Sequence, residues 1–380
     1  MNKFFASFML TAVSLVTACS SNEEPVVPPV EEQQPEAVAP TVDAGPAISE
    51  IAAKSAAMQA LSSFFGTEMS RADGTRIETI NANGKPSLYV VEFEQGGYAV
   101  IDADSLAPVR VLAVAENGNC PEIGKSYLLS KKNVYSSDAY TITPPVIKPD
   151  LPLKPEPVKS DTIRALWRTP QWSQNAPYNK YCFTKSGVQS VAGSVAVAMA
   201  TIMAYNQSPS KVGNLNINWS QVWPNGNSNA TDVVAQLMAE IGRVCGFTYK
   251  NDYVIFRQSS LVAQLEKFGF TAAKSTNKIS EVLNLVSPAI AYSETLDGED
   301  WTWVIDGRMK ISTYVPGYID VDGNPTPGAW NTWEYLHFNW GLDGECDGWY
   351  LADSKWYFES DDETIYLSQN SEDLHFIVNL

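Results

Sequence analysis

Histidine is the scarcest reagent in this chain of 380 residues: only His337 and His375 are available for acid–base or metal work. They lack the paired spacing of a two-histidine zinc site, so neither a metal nor a cofactor is expected. Basic residues are also few, 26 Lys and Arg against 43 Asp and Glu. The resulting charge of −17 argues against a nucleic-acid partner, whose affinity needs clustered cations. No apolar run reaches the ~20 residues that span a bilayer. No internal repeat is present. What is there excludes wholesale disorder, since 44 % of residues are hydrophobic and 11 % aromatic. At roughly 100–200 residues per domain, the length points to two domains.

Residues Phe4 to Ala18 form an apolar run behind Lys3, and residues 1–18 read as a signal peptide. The run ends Leu15-Val16-Thr17-Ala18-Cys19, which resembles a bacterial lipobox and implies cleavage before Cys19 and lipid on that cysteine. An ordinary secretory signal with a chance cysteine is the alternative. Residues 19–46 follow as an acidic, Pro-rich tether: Glu23, Glu24, Glu31, Glu32, Glu36 and Asp43 are interrupted by Pro25, Pro28, Pro29, Pro35, Pro40 and Pro46, without one Lys or Arg. Such a segment cannot bury a core and is expected to be extended and solvated. Acidic residues just after the cysteine resemble surface-export signals of Bacteroidetes lipoproteins. The expected location is therefore the bacterial outer membrane, held by the N-terminal lipid.

Between Ala47 and Phe65, apolar residues at Ile48, Ile51, Met58, Leu61 and Phe65 mark one face of an amphipathic helix. Leu88 to Phe93 reads as a strand, Gly96-Gly97 as a reversal, Tyr98 to Ile101 as its hairpin partner and Val109 to Val114 as a third strand. Residues 47–142 thus form a small α+β domain. Residues 143–160 carry Pro144, Pro145, Pro149, Pro152, Pro155 and Pro157, an exposed semi-rigid linker of the kind proteases cut. Residues 161–380 form the second domain. There Ser194 to Tyr205, rich in small and apolar residues, predicts a helix buried on most sides. Further helices are predicted at Thr231 to Cys245 and Ser259 to Phe268. Strands are predicted at Ala289 to Tyr292, Trp301 to Ile305, Tyr335 to Trp340 and Trp349 to Leu351, with His375 in a terminal sheet segment. Helices first and an antiparallel sheet afterwards make a two-lobed α+β domain with a cleft.

Four motifs occur in order: Trp172-Ser173-Gln174-Asn175, then Gly193-Ser194-Val195-Ala196, then Trp301-Thr302-Trp303-Val304-Ile305-Asp306-Gly307, then His337-Phe338-Asn339-Trp340-Gly341 with Cys346-Asp347-Gly348 behind it. Together they resemble the streptopain family of papain-like cysteine peptidases, and the first domain resembles the propeptide or inhibitor-type domain that precedes such peptidases. The resemblance implies a papain-like fold, a buried helix against an antiparallel sheet. It also implies that Gln174 matches the oxyanion-stabilising glutamine, and Asn339 and Trp340 the residues that orient and shield the catalytic histidine. Two departures matter more. Ser194 stands where the family has its nucleophilic cysteine, and Trp301 where it has the histidine base. Leu342 replaces a further tryptophan.

A papain-type site works through a thiol whose pKa is brought from ~8.5 to about 3–4 by a helix N-terminus and an imidazolium. A serine hydroxyl needs a base to remove its proton, and an indole offers a donor without an acceptor. The leading expectation is an exported, lipid-anchored pseudopeptidase whose cleft takes a peptide or protein ligand without cutting it. The aromatic group Trp301, Trp303 and Trp340 then serves either ligand contact or core packing. Without self-processing, the first domain stays attached over the cleft. Two alternatives stand beside this. One is an active peptidase or other acyl hydrolase using Ser194 with a relocated His337, which shares a strand face with Asn339. The other is a structural or adhesive surface lipoprotein. Oligomeric state and the disulfide pairing of Cys120, Cys182, Cys245 and Cys346 stay open, Cys182–Cys346 being one arrangement. Asp320-Val321-Asp322-Gly323-Asn324 reads as a turn rather than a calcium loop, because its twelfth position is Asn331 and not Glu.

Overall fold

Among the described residues eleven strands form one antiparallel sheet, and helices cover it on both faces. The structure is a computed structural model that describes residues 47–65, 76–82, 84–105, 111–122, 124–125, 128, 159–224, 230–294, 300–319, 325–326, 328–356, 359–360, 363–364 and 374–380. The signal peptide, Cys19, the acidic tether, most of the Pro-rich linker and the turn at 320–324 lie outside the described residues.

The N-terminal region opens with α1 (Glu50–Phe65) and continues through β1 (Arg76–Ala82), β2 (Lys85–Glu92), β3 (Tyr98–Asp102) and β4 (Val111–Ala115). The helix is where the periodicity puts it, but its buried face is different. Ala53, Ala57, Ala60, Leu61 and Phe64 are buried, while Ile51 is 81 % exposed. Small side chains let the helix axis lie close to the strands, and that close approach outweighs the larger apolar residues as the choice of face. The Gly96-Gly97 reversal is present, both residues having positive φ; a Cβ at Gly97 would lie 2.5 Å from the Glu116 carbonyl oxygen.

The second region begins with β5 (Lys159–Leu166), which draws the last linker residues into the sheet. The central helix α2 (Ser194–Asn206) is buried at every position from Val195 to Ala204, as its composition requires. The amphipathic α3 (Ala230–Cys245) packs beside it in the same apolar cluster. The third predicted helix is shorter than expected, α4 (Leu261–Lys267) after a 3-10 turn at Gln258–Ser260. The edge strand β6 (Lys274–Thr276) and the single turn α5 (Ile279–Val282) follow.

The remaining strands of the large sheet are β7 (Ala289–Glu294), β8 (Asp300–Val315), β9 (Ala329–Asn339), β10 (Gly348–Trp356) and β11 (Leu374–Val378). Three of them run well past their apolar segments, and the added length of β9 buries the polar residues Asn331, Thr332 and Glu334. The sheet order is β1-β2-β3-β4-β10-β9-β8-β7-β11-β6. Strand β5 lies on β8 along the same edge as β7, pairing from Gly307 onward where β7 has ended. Strand β4 pairs with β10 through Ala115↔Gly348, Trp349↔Val114 and Tyr350↔Ala113, so the two regions share one sheet. Residues Val42–Leu380 form one compact unit. One apolar cluster joins α1 and β2–β4 to Trp303, Phe338, Trp340 and Tyr350; a second joins α2, α3 and α4 to the other sheet face through Ile290, Tyr292, Val304 and Ile377.

Candidate functional site

Ser194 stands at the first position of α2, after Gly193 at φ +91°. Glycine is needed there on two counts: the backbone is left-handed, and a Cβ would lie 3.0 Å from Val254 Cγ2. No side chain caps the helix, so its first N–H groups face the site, as an anion-stabilising end does. Ser194 Oγ accepts the backbone N–H of Thr302 at 3.3 Å. Gln174 is held close by, since its carbonyl accepts the N–H of Ala192, two residues before Ser194, at 2.8 Å.

Trp301 is the chain neighbour of Thr302, so its backbone lies near the head of α2. The indole Nε1 of Trp301 donates to the Trp340 carbonyl at 3.4 Å, and its ring packs against the larger core cluster. Trp303 and Trp340, at 1 % and 0 % exposure, are core residues with ring centroids 5.0 Å apart. Of the three tryptophans only Trp301 is partly exposed and able to meet a ligand. Gly341 then turns the chain at φ +72°, and a Cβ there would press on Val197 of α2 at 3.0 Å.

Asn339 does not reach toward Trp301. Its amide nitrogen donates to Thr169 Oγ1 (3.1 Å) and the Pro170 carbonyl (2.9 Å), and its oxygen accepts from the Gly341 N–H (3.1 Å). Both ends of the side chain are engaged in bracing the strand end.

His337 is also engaged elsewhere. It pairs across the sheet with Gly307, five residues along β8 from Thr302, which at ~3.3 Å per residue is about 16 Å. Its Nδ1 lies 2.6 Å from Asp306 Oδ1, and its ring meets Trp349 edge-on at 5.0 Å. Gly307 makes room for it; a Cβ would lie 2.8 Å from His337 Cβ. A bulge at Asp306 aims that carboxylate inward, where Oδ2 also accepts the Thr169 hydroxyl at 2.5 Å. Burial works against the charged imidazole, but Asp306 outweighs it and raises the His337 pKa above its ordinary value. Asp347, whose Oδ1 accepts the Trp340 N–H at 3.0 Å, is pushed up to about 7 by burial and by the charge of Asp306. The Ser194–His337 dyad is therefore not assembled. His375 stacks on Tyr292 (5.0 Å, 18°), with Tyr292 lying between it and Thr302 in the strand order.

Sequence reasoning missed the Asp306–Thr169–Asn339 web. The Ile-Asp-Gly of the third motif was the available signal. The thiols are also distributed differently from the Cys182–Cys346 arrangement: Cys182 belongs to the α2 cluster, and Cys346 to the cluster that holds Cys120.

Residues 172–350 match the model of the Peptidase C10 family. Over that stretch, a little under half of the chain, the sequence is similar to the C10, or streptopain, family. A Prevotella intermedia prointerpain A fragment carrying a cysteine-to-alanine mutation is 21 % identical, covering 81 % of this chain and 99 % of its own at a TM-score of 0.51. Active wild-type interpain A cysteine protease from the same organism is 22 % identical, covering 60 % of this chain and 99 % of its own at a TM-score of 0.39. No curated protein sequence matches the chain. The fold is thus α+β and papain-like of the C10 type, preceded by a propeptide-like region, as the motif order implied.

Proposed function

We propose that this protein is an exported, lipid-anchored pseudopeptidase: a C10 fold that holds an extended peptide or protein ligand and does not hydrolyse it. The observation that carries the reading is at Ser194 Oγ, which accepts the N–H of Thr302, the chain neighbour of an indole whose only polar atom is a donor. Neither imidazole among the described residues stands at that oxygen, since His337 pairs with Asp306 and His375 stacks on Tyr292. A helix N-terminus alone stabilises negative charge by ~0.3–1 kcal/mol, and up to about 2 in favourable geometry, too little to ionise a hydroxyl. Loss of either member of a nucleophile–base pair already removes orders of magnitude in rate. Fold and chemistry are separate claims, and a family match transfers the first alone. Export and the anchor rest on the run Phe4 to Ala18 and the lipobox-like ending at Cys19.

The purified protein is expected to remain a single chain, to leave casein and peptide substrates intact, and to stay unlabelled by a fluorophosphonate probe. Hydrolysis abolished by Ser194→Ala, or labelling abolished by His337→Ala, would overturn the reading. A peptide-library screen then separates a ligand-binding cleft from a purely structural or adhesive lipoprotein. Hits weakened by Trp301→Ala support the former.

A further inference from the structure

We propose that Cys120 and Cys346 are the two halves of a disulfide clasp that joins the N-terminal region to the peptidase-fold domain. Strands β4 and β10 pair antiparallel through Ala115↔Gly348, so the chain leaving β4 and the chain entering β10 emerge at the same end of the ladder. Cys120 lies five residues after Ala115, and Cys346 two residues before Gly348. The two loops touch. Cys346 Sγ donates to the carbonyl oxygen of Asn119, the residue whose peptide bond leads into Cys120, at 2.5 Å. A Cβ at Gly118 would lie 2.7 Å from Cys346 N and 3.3 Å from its sulfur, so only glycine lets the loops approach this closely. Tyr98 OH fixes the Cys346 side from the N-terminal region by donating to its carbonyl at 3.1 Å.

Both cysteines are free thiols, at 5 % and 7 % exposure, in one apolar cluster. Cys120 has a poor partner of its own, the Pro121 carbonyl at 3.9 Å. Burial pushes both thiols up, Cys346 to about 11, and Cys346 adds to the shift of Cys120. Exchange needs a thiolate, so these are not reactive sites in the finished fold, and the bond has to form while the chain is folding. One thiolate attacks the disulfide of an exchange donor, either a protein oxidoreductase of the export compartment or oxidised glutathione in vitro, and releases one donor thiolate. The second cysteine thiolate then attacks the mixed disulfide and releases the other. Two cysteine thiols lose two protons and two electrons, and one donor disulfide becomes two thiols. An oxidising exterior is where such bonds persist. The consequence is physical: cutting the Pro-rich linker would not release the N-terminal region, which makes permanent the attachment that the proposed function assumes.

The test refolds the full chain with oxidised and reduced glutathione, blocks free thiols with iodoacetamide, nicks the linker lightly with endoproteinase Asp-N before Asp150, and runs a denaturing gel. The expected result is one band without reductant, two bands with it, and a Cys120–Cys346 peptide pair by mass spectrometry. Cys120→Ser is expected to give two bands without reductant. Carbamidomethyl on both Cys120 and Cys346 of the wild type, or pairing of either with Cys182 or Cys245, would overturn the proposal, and this readout does not depend on how any variant folds. It is also blind to hydrolysis and ligand binding, so an active enzyme can carry the clasp and an inactive one can lack it.

Discussion

A hydroxyl and a thiol at the head of the same helix are different reagents, and the difference is decided by what stands opposite. In this protein the Ser194 hydroxyl accepts the Thr302 N–H, the neighbouring Trp301 indole donates to the Trp340 carbonyl, and Asn339 is committed to Thr169, Pro170 and Gly341. This makes the requirement for each atom separable. Ser194→Cys alone is expected to yield a thiol of near-ordinary reactivity and no hydrolysis. Ser194→Cys combined with Trp301→His is expected to alkylate with iodoacetamide about tenfold faster at pH 7, since an adjacent imidazolium lowers a thiol pKa, and to show weak but measurable cleavage of a fluorogenic peptide. Equal alkylation rates for the two variants would mean that Trp301 does not face Ser194. The start of α2 at Ser194 was legible in the sequence, because Gly193 before a run of small and apolar residues marks a helix head. The contacts around it were not. The Thr302 N–H and the Asp306–Thr169 link arise from strand ends and a bulge, which no local pattern encodes.

Elements were legible where one physical signal dominated. The run of small and apolar residues in α2 marked a buried helix, and the Gly96-Gly97 reversal marked a turn. The N-terminal helix was found from its spacing, yet its inward face was not, because alanines at Ala53, Ala57 and Ala60 carry little hydrophobic signal and gain their place by letting backbones approach. Strands β1 and β5 escaped notice for a related reason: their burial is partial or slight, and their sequences, Arg76–Ala82 and Lys159–Leu166, lack a clear apolar alternation. Close approach is also what holds the site's elements together at Gly341. Gly341→Ala combines a left-handed φ with a Cβ pressed on Val197 at 3.0 Å, and is expected to cost about 1–3 kcal/mol by urea denaturation. Gly84→Ala shares the positive φ but meets nothing within 4 Å. It is expected to cost only about 1 kcal/mol, so equal losses would show that the Val197 contact contributes nothing.

For the whole molecule, the shared sheet makes the N-terminal region part of the domain's core, and the seam is polar as well as apolar. Tyr98 OH bonds to Tyr350 OH and to the Cys346 carbonyl, and Trp340 Nε1 donates to the same Tyr350 OH at 2.9 Å. Tyr98→Phe removes one hydrogen bond from Tyr350 OH and one from the Cys346 carbonyl, while Tyr350 OH still accepts from Trp340 and reaches the Cys346 carbonyl at 3.4 Å, and is expected to lower stability by about 0.5–1.5 kcal/mol in the same urea assay. Beside that seam, protons bind more tightly to the folded chain than to the unfolded one. His337 is raised above its ordinary value, with Asp306 overcoming burial, and faces Asp347 and Arg164 as well; Asp347 is raised to about 7 by burial first and Asp306 second. A group whose folded pKa is raised contributes stability that is complete below its unfolded pKa and fades as pH climbs through the folded one. For Asp347 the window runs from about 4 to about 7, and for His337 it opens near 6.5 and extends above it. The paired surface carboxylates Asp232, Glu240 and Glu281 are lowered by Lys180, Arg243 and Lys274, and they act the other way, losing their contribution only in strong acid. The fold is therefore expected to be most stable in mild acid, with a higher urea midpoint at pH 5.5 than at pH 8. The net charge of −17 pushes in the same direction through self-repulsion, so the local contribution is isolated by Asp347→Asn, which keeps an acceptor for the Trp340 N–H and removes the titration. That variant should flatten the pH 5.5 to pH 8 difference and be the more stable form at pH 8. An unchanged pH slope would assign the whole effect to the surface charge and none to the buried carboxyl at the Asn-Trp turn.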